Sequence, residues 1–166
     1  ETEGANLIKA FLDRIASGSV VSTLEIGNLG QNIVLAHETR RLKNEGREDL
    51  VHLVKQLPNN LAVGYDIQSF EPEGGSRRLI EVKTTISKER TTVSRFKMTD
   101  NEFNAANQFQ ETYFVYRLEI TAQGPRLFLV KNPVGHFKSD KACLELRNGA
   151  FFTFAQTELK EETLLI

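Results

Sequence analysis

Tryptophan is absent from this chain of 166 residues, methionine occurs once, at Met98, and cysteine once, at Cys143. A single thiol excludes an intrachain disulfide framework and any zinc site built from several cysteines, and it points to a reducing, intracellular and cytoplasmic location. Long apolar stretches are missing as well. No hydrophobic run exceeds four residues, as in Ile33–Ala36, Tyr113–Tyr116 and Leu127–Val130, whereas a membrane-spanning helix needs roughly 20. No membrane partner is expected. Nor does a signal-like apolar stretch follow Glu1, so the chain reads as a piece whose partner domains lie elsewhere. Neither sign of charge dominates: 21 Lys and Arg stand against 22 Asp and Glu, a net charge of −1. That balance argues against a generic nucleic-acid coat protein.

What remains is ordinary globular material, 40% hydrophobic and 26% charged, of a length that suits one domain with one core. The charge is unevenly spread. Between Arg77 and Lys97 lie Arg77, Arg78, Lys83, Lys88, Arg90, Arg95 and Lys97 against Glu81 and Glu89, a local net charge of +5. Such a run is either a solvated face or a phosphate-binding one.

Leu7, Ile8, Phe11, Leu12 and Ile15 recur at helical spacing and predict an amphipathic helix over 4–16, stopped by Ser17-Gly18-Ser19. A second helix is expected over about 29–45, with Gly46 as its left-handed terminator. Val34, Glu38 and Leu42 stand four apart, which puts the Glu38 carboxylate in the apolar stripe. Strands are expected at 50–57, 61–70, 78–85 and 92–98, the second and third joined as a hairpin through the turn Glu71-Pro72-Glu73-Gly74-Gly75-Ser76. Thr99 and Glu102 form a capping box, flanked by Met98 and Phe103, and start a third helix. Further strands are expected at 113–120 and 126–130, and Asn148-Gly149 predicts a hairpin between 142–147 and 150–154.

Alternation along the third strand puts Leu79, Glu81 and Lys83 on one face and Ile80, Val82 and Thr84 on the other; in the second strand Gly64, Asp66 and Gln68 share a face. The hairpin brings Asp66 beside Glu81, so two carboxylates and an ammonium converge. Mg²⁺ asks for such oxygen donors and completes its shell with water and phosphate, while a neighbouring lysine orients or deprotonates the attacking water. Glu38 is open to two readings, a third acid at this site or an ion-pair partner of Arg41 or Lys43. Asp66 has the alternative of a plain turn or strand-edge acid. His37-Glu38 lacks the second histidine of a zinc-protease helix because Arg41 stands there, and Gly27-Asn28-Leu29-Gly30 lacks the lysine of a phosphate-binding loop. Gln108, on the third helix, is either an auxiliary polar group facing the site or a surface amide. Cys143 is expected to be a small core residue.

Asp66 followed by Glu81-Val82-Lys83 looks like the PD-(D/E)XK nuclease signature, with Gly64-Tyr65 in place of the usual proline before the aspartate. More narrowly, His37-Glu38-Thr39-Arg40-Arg41-Leu42, Gly64-Tyr65-Asp66-Ile67-Gln68-Ser69, Ile80-Glu81-Val82-Lys83 and Thr99-Asp100-Asn101-Glu102-Phe103-Asn104-Ala105 resemble, in that order, the C-terminal domain family named after the plant protein NO VEIN. That family is related to Mrr-like restriction endonucleases and often accompanies helicase or restriction modules.

The resemblance implies an α/β (α+β) fold with a PD-(D/E)XK nuclease-like mixed central sheet flanked by helices. An N-terminal helical extension (1–28) and a C-terminal hairpin extension (133–166) flank a core at 29–132. It also implies a Mg²⁺-dependent endonuclease, with Mn²⁺ as substitute, that hydrolyses DNA in a restriction, antiviral defence or repair system. Asp66 and Glu81 then bind the metal, Val82 lends its carbonyl, Lys83 serves the water, and Glu38 joins from the helix. Arg77, Arg78, Lys88, Arg90, Arg95 and Lys97 are the expected DNA contacts. Two alternatives stay open: a catalytically inactive DNA-binding or targeting module on the same fold, and a protein-interaction domain. Oligomeric state is not legible in the chain.

Overall fold

In the computed structural model, which describes residues 2–166, two hydrophobic layers form on opposite faces of one twisted sheet. Helix α1 (Glu3–Ala16) is capped by the Thr2 side chain and buries Ile8. Helix α2 (Thr23–Asn44) starts six residues before the expected position. Ser22 caps it, with Glu25 closing a capping box, a serine-x-x-glutamate signal that outweighs the polar composition of its first turns. The expected 28/29 boundary thus falls inside one continuous helix. Gly46, at φ 72°, ends it as anticipated.

The stretch expected as a strand at 50–57 is mostly something else. Glu48–Val51 forms a single helical turn, α3, that docks Leu50 against Leu42 and Phe70. Only Lys55–Gln56 (β1) is left to pair, and it does so with β2 (Ile67–Phe70). The second strand is shorter than expected because Asn59–Leu61 coils into a 3₁₀ turn, and Ala62 and Gly64 take positive φ values of 48° and 82°. Asp66 therefore stands at the lip of β2 rather than within it.

Strand β3 (Arg77–Ile86) pairs antiparallel with β2, with Ile67 opposite Ile80, and parallel with β5 (Tyr113–Thr121), with Glu81 opposite Val115. Antiparallel β6 (Gly124–Lys131) and β9 (Lys160–Glu162) complete a six-stranded mixed sheet in the order β1-β2-β3-β5-β6-β9. Helices α1 and α2 cover one face, packing Ile33 and Val34 on Ile80, Val82, Tyr116 and Leu118. The other face carries α4 (Asp100–Phe109), α5 (Pro133–Lys138) and a second sheet, β4-β8-β7, made of Arg95–Met98, Ala150–Phe154 and Ala142–Leu146.

The expected C-terminal hairpin is present, turning through Asn148 and Gly149 at φ 50° and 108°. It is no appendage, since β8 pairs along β4, and Phe152 and Phe154 stack on Phe96 within the core. Helix α5 and strand β9 had no counterpart among the expected elements. Cys143 is exposed, because alternation in β7 turns Ala142 and Leu144 inward instead. Among the described residues no helix is long and apolar enough to cross a membrane.

Candidate active site

Asp66 is fixed from both sides. Its backbone N–H donates to the Ile80 carbonyl (2.9 Å), the last rung before β2 and β3 diverge. Beyond that rung the side chain takes over the ladder, with Oδ2 accepting from the Val82 N–H at 2.8 Å and Oδ1 from Gln31 Nε2 of α2 at 2.9 Å. Gln56 in turn donates to the Gln31 Oε1. The approach to Asp66 depends on Gly64. A Cβ there would lie 2.5 Å from the Asn101 carbonyl oxygen and 2.7 Å from the Ala105 Cβ. Only glycine combines that contact with a positive φ. Tyr113 Oη donates to the Gly64 carbonyl (2.7 Å) and Asn101 Nδ2 to the Ala62 carbonyl (2.8 Å), so the loop is held onto both β5 and α4.

Glu81 and Lys83 point to the α4 side, as alternation requires. Lys83 Nζ lies 2.8 Å from Glu81 Oε1 and 2.6 Å from Glu102 Oε2. The same Glu102 oxygen accepts the Thr99 N–H at 3.0 Å, closing the capping box of α4. One carboxylate thus finishes a helix and holds a lysine, and the expected capping role is only half of its work. Gln31, Asp66, Glu81, Asn101 and Glu102 line a common cleft of about 350 Å³.

The site is acid-rich and partly dry. Burial pushes the Glu81 carboxyl well above the usual carboxylate range; Lys83 opposes this, while Asp66 and Glu102 add to it. Burial also raises Asp66, against the Val82 N–H and Lys83. For Lys83, burial would lower the ammonium, but Glu81 and Glu102 more than reverse this and hold it above its ordinary value. Lys83 therefore stays charged at neutral pH. It suits orientation and charge stabilisation rather than proton abstraction.

Among the described residues no three His, Cys, Asp or Glu side chains gather closely enough to hold an ion by themselves. Asp66 and Glu81 nevertheless fit a hard divalent cation. They are oxygen donors whose mutual crowding a cation would relieve, and such an ion draws the rest of its shell from water, a backbone carbonyl such as that of Val82, and phosphate.

Glu38 does not join them. It is fully buried behind the sheet, accepting from Arg41 Nε and Nη2 at 3.0 and 2.6 Å and from Tyr116 Oη at 2.8 Å, with Arg78 Nη1 at 3.7 Å. Tyr116 belongs to the α2 layer, the opposite face from Glu81. The reading of Glu38 as a catalytic acid is thereby corrected to an ion-pair partner of Arg41.

Arg78 is corrected with it. It shares the Ile80 and Val82 face, is buried, pairs with Glu71 at 2.7 Å and lies over the Phe114 ring. Its guanidinium is engaged within the fold by Glu71, Tyr116 and the neighbouring Glu38. Arg77, Lys88, Arg90, Arg95 and Lys97 are exposed. Gln108 is exposed too, and the amide at the site is Gln31. Gln31, Val34 and Glu38 lie at i, i+3 and i+7 on one helical stripe. A second polar residue in that stripe was the signal that could have revealed it.

No curated protein matches the chain significantly in sequence. Among solved structures, D212, a nuclease from a fusselovirus, superimposes with a TM-score of 0.53 at 12% identity, covering 85% of this chain and 88% of that one. At that identity the likeness shows a shared nuclease-like fold. The model of protein NO VEIN, C-terminal, matches residues 30–130, a span that starts inside α2 next to Gln31 and runs through Asp66, Glu81, Lys83 and Glu102 into the last residues of β6. The chain belongs to the NO VEIN C-terminal family.

Proposed function

We propose that this domain is a metal-dependent endonuclease that hydrolyses DNA phosphodiester bonds at the cleft lined by Asp66 and Glu81, with Lys83 paired to Glu81 beside it, in a restriction, defence or repair setting. The observation that carries the reading is the local charge balance. Asp66, Glu81 and Glu102 crowd around the single ammonium of Lys83, and burial raises both Asp66 and Glu81. A carboxylate pair left short of counter-charge in a cleft is a site prepared for a cation.

Asp66 and Glu81 would hold Mg²⁺, with Mn²⁺ as substitute, and the ion supplies Lewis acidity and a water of lowered pKa. Lys83 offsets charge developing on the phosphoryl oxygens. As water adds to phosphorus and releases one proton to solvent, the bond from phosphorus to one sugar oxygen breaks, and that oxygen takes up a proton from solvent. Glu102 positions Lys83, and Gln31 orients Asp66. The net charge of −1 leaves DNA engagement to be shared with attached modules of the helicase or restriction kind.

The test is conversion of supercoiled plasmid to nicked and linear forms in Mg²⁺, Mn²⁺ or EDTA. Cleavage should require the metal and disappear in Asp66→Ala, Glu81→Ala and Lys83→Ala. One observation favours a second reading, a non-hydrolytic DNA-binding module: the neutral Gln31 amide contacts Asp66 from α2 where another carboxylate would strengthen a metal site. Metal-independent DNA binding without cleavage by the intact assembly would decide for it.

A further inference from the structure

The outer face of the β4-β8-β7 sheet carries a feature the cleft does not use. Its inner face is core, with Phe96, Met98, Phe152 and Phe154 buried, so alternation turns Arg95, Lys97 and Phe151 to solvent. Lys97 stands directly opposite Phe151 in the ladder, and Arg95 lies two pairs further along, on the same face. Phe151 is only partly buried, and both cations reach its ring, the Arg95 guanidinium carbon and Lys97 Nζ each 5.3 Å from the centroid. Arg147 is exposed in the adjoining turn, and Glu145, paired opposite Phe151, is the acid of this face, 3.9 Å from Arg95. The patch is thus a solvent-facing aromatic ring set among three cations and one acid.

Its location ties it to the cleft. Lys97 is two strand residues, about 7 Å, from Thr99, and Thr99 lines the cleft. Gly149 locks the β7–β8 turn to the same point, since a Cβ there would lie 2.4 Å from the Met98 carbonyl oxygen. The ring and the cleft are consequently held by one rigid segment. A strand lying on the ring therefore has only a short path to the cleft.

We infer that this face is a binding platform for single-stranded nucleic acid, with an unpaired base stacked on Phe151 and its flanking phosphates on Arg95 and Lys97, delivering the strand to the cleft beside Thr99. The inference rests on the nuclease reading of that cleft and narrows its substrate to a strand with unpaired bases. The chemistry selects the occupant. A duplex keeps its bases stacked on one another and offers a protein surface phosphates alone, whereas a half-exposed ring flanked by cations gains from base stacking only when the base is free. The cations that now cover the ring are the groups that would shift to the phosphates.

The experiment is fluorescence anisotropy of the full chain with a labelled single strand and with the matching duplex, in EDTA so that nothing is cut. Phe151→Ala should weaken single-strand binding about 5- to 160-fold, the range for losing one stacked base, and leave duplex binding within about twofold. Phe151→Trp should restore it. Arg95→Ala and Lys97→Ala should each flatten the salt dependence of single-strand binding by about 0.7 in log–log slope, and Glu145→Gln should tighten it. The inference is overturned if the wild-type chain does not bind the single strand, if folded Phe151→Ala binds it normally, or if that variant loses single-strand and duplex affinity equally. Binding in EDTA is independent of cleavage. Intact platform behaviour with no cleavage of the same single strand in Mg²⁺ or Mn²⁺ therefore refutes the nuclease reading and leaves the platform standing.

Discussion

Glu102 offers the sharpest test of the site because its two duties can be separated. Its carboxylate closes the α4 capping box on the Thr99 N–H (3.0 Å) and holds Lys83 (2.6 Å), and both side chains of the ion pair are more than four-fifths buried. Glutamine also serves at this position of a capping box, so Glu102→Gln keeps the cap and removes the charge-assisted bond, which is worth about 1.5–3 kcal/mol. Glu102→Ala loses both, adding about 1 kcal/mol for the broken cap. Urea denaturation should therefore rank wild type above Glu102→Gln and Glu102→Ala last, with the Gln variant melting about 3–12 °C lower. Combining Glu102→Gln with Lys83→Met should cost less than the sum of the two changes, with a coupling of about 1.5–3 kcal/mol. Additivity within about 0.5 kcal/mol would refute the claim that Glu102 holds Lys83. In plasmid nicking, Glu102→Gln should lose activity while its melting stays cooperative, a split that damage to the helix alone would not produce.

Glu81 should show its burial in the pH dependence of stability. Its native pKa lies above the ordinary 4.5, so the folded state binds more protons than the unfolded one as pH rises from that value, and stability falls across the window. Glu81→Gln should remove this fall and be the more stable protein at pH 7 while failing to cleave; a variant less stable than wild type there would count against the pKa direction. A divalent ion held by Asp66 and Glu81 should stabilise the fold by about 2.7 kcal/mol at 100 times its Kd, raising Tm by about 5–11 °C. Asp66→Ala should abolish that rise in calorimetry, and an equal rise in the variant would place the ion elsewhere. Glu38→Gln should destabilise by about 3–5 kcal/mol in urea, because it leaves Arg41 and Arg78 buried without their shared counter-charge, yet the folded fraction should cleave at the wild-type rate; lost cleavage in well-folded protein would return Glu38 to the site.

The parts of the site that could be read from sequence were those set by local periodicity. Two-residue alternation in β3 separates Glu81 and Lys83 from Ile80 and Val82, and the same parity puts Arg78 with the buried set. Counting the +5 run as one surface passed over that parity. The start of α4 was legible because a capping box is written within four residues. Its success hid the bond from Glu102 to Lys83, which spans 19 residues and leaves no local pattern. Strand 50–57 failed for the converse reason. Its apolar spacing suits either state, and the decision came from Leu50 docking on Leu42 and Phe70, a contact that only the folded chain makes.

Glu38 and Glu81 show why burial alone could not assign the acids. Both are less than 5% exposed, and they lie on opposite faces of one sheet. Around Glu38, burial is answered by the Arg41 hydrogen bonds and the Arg78 charge, so its carboxyl is held below the usual range and the charges balance within the fold. Around Glu81, one ammonium answers three acids and the carboxyl rises. The helical stripe revealed that Glu38 was buried, but its partners Tyr116 and Arg78 lie 78 and 40 positions away in the chain. A buried acid with complete pairing stabilises a structure, whereas one left short of positive charge is a place where a cation or a proton gains on binding. That criterion supports Glu81, whose electrostatics the fold leaves unfinished, over Glu38 as the acid of the proposed site.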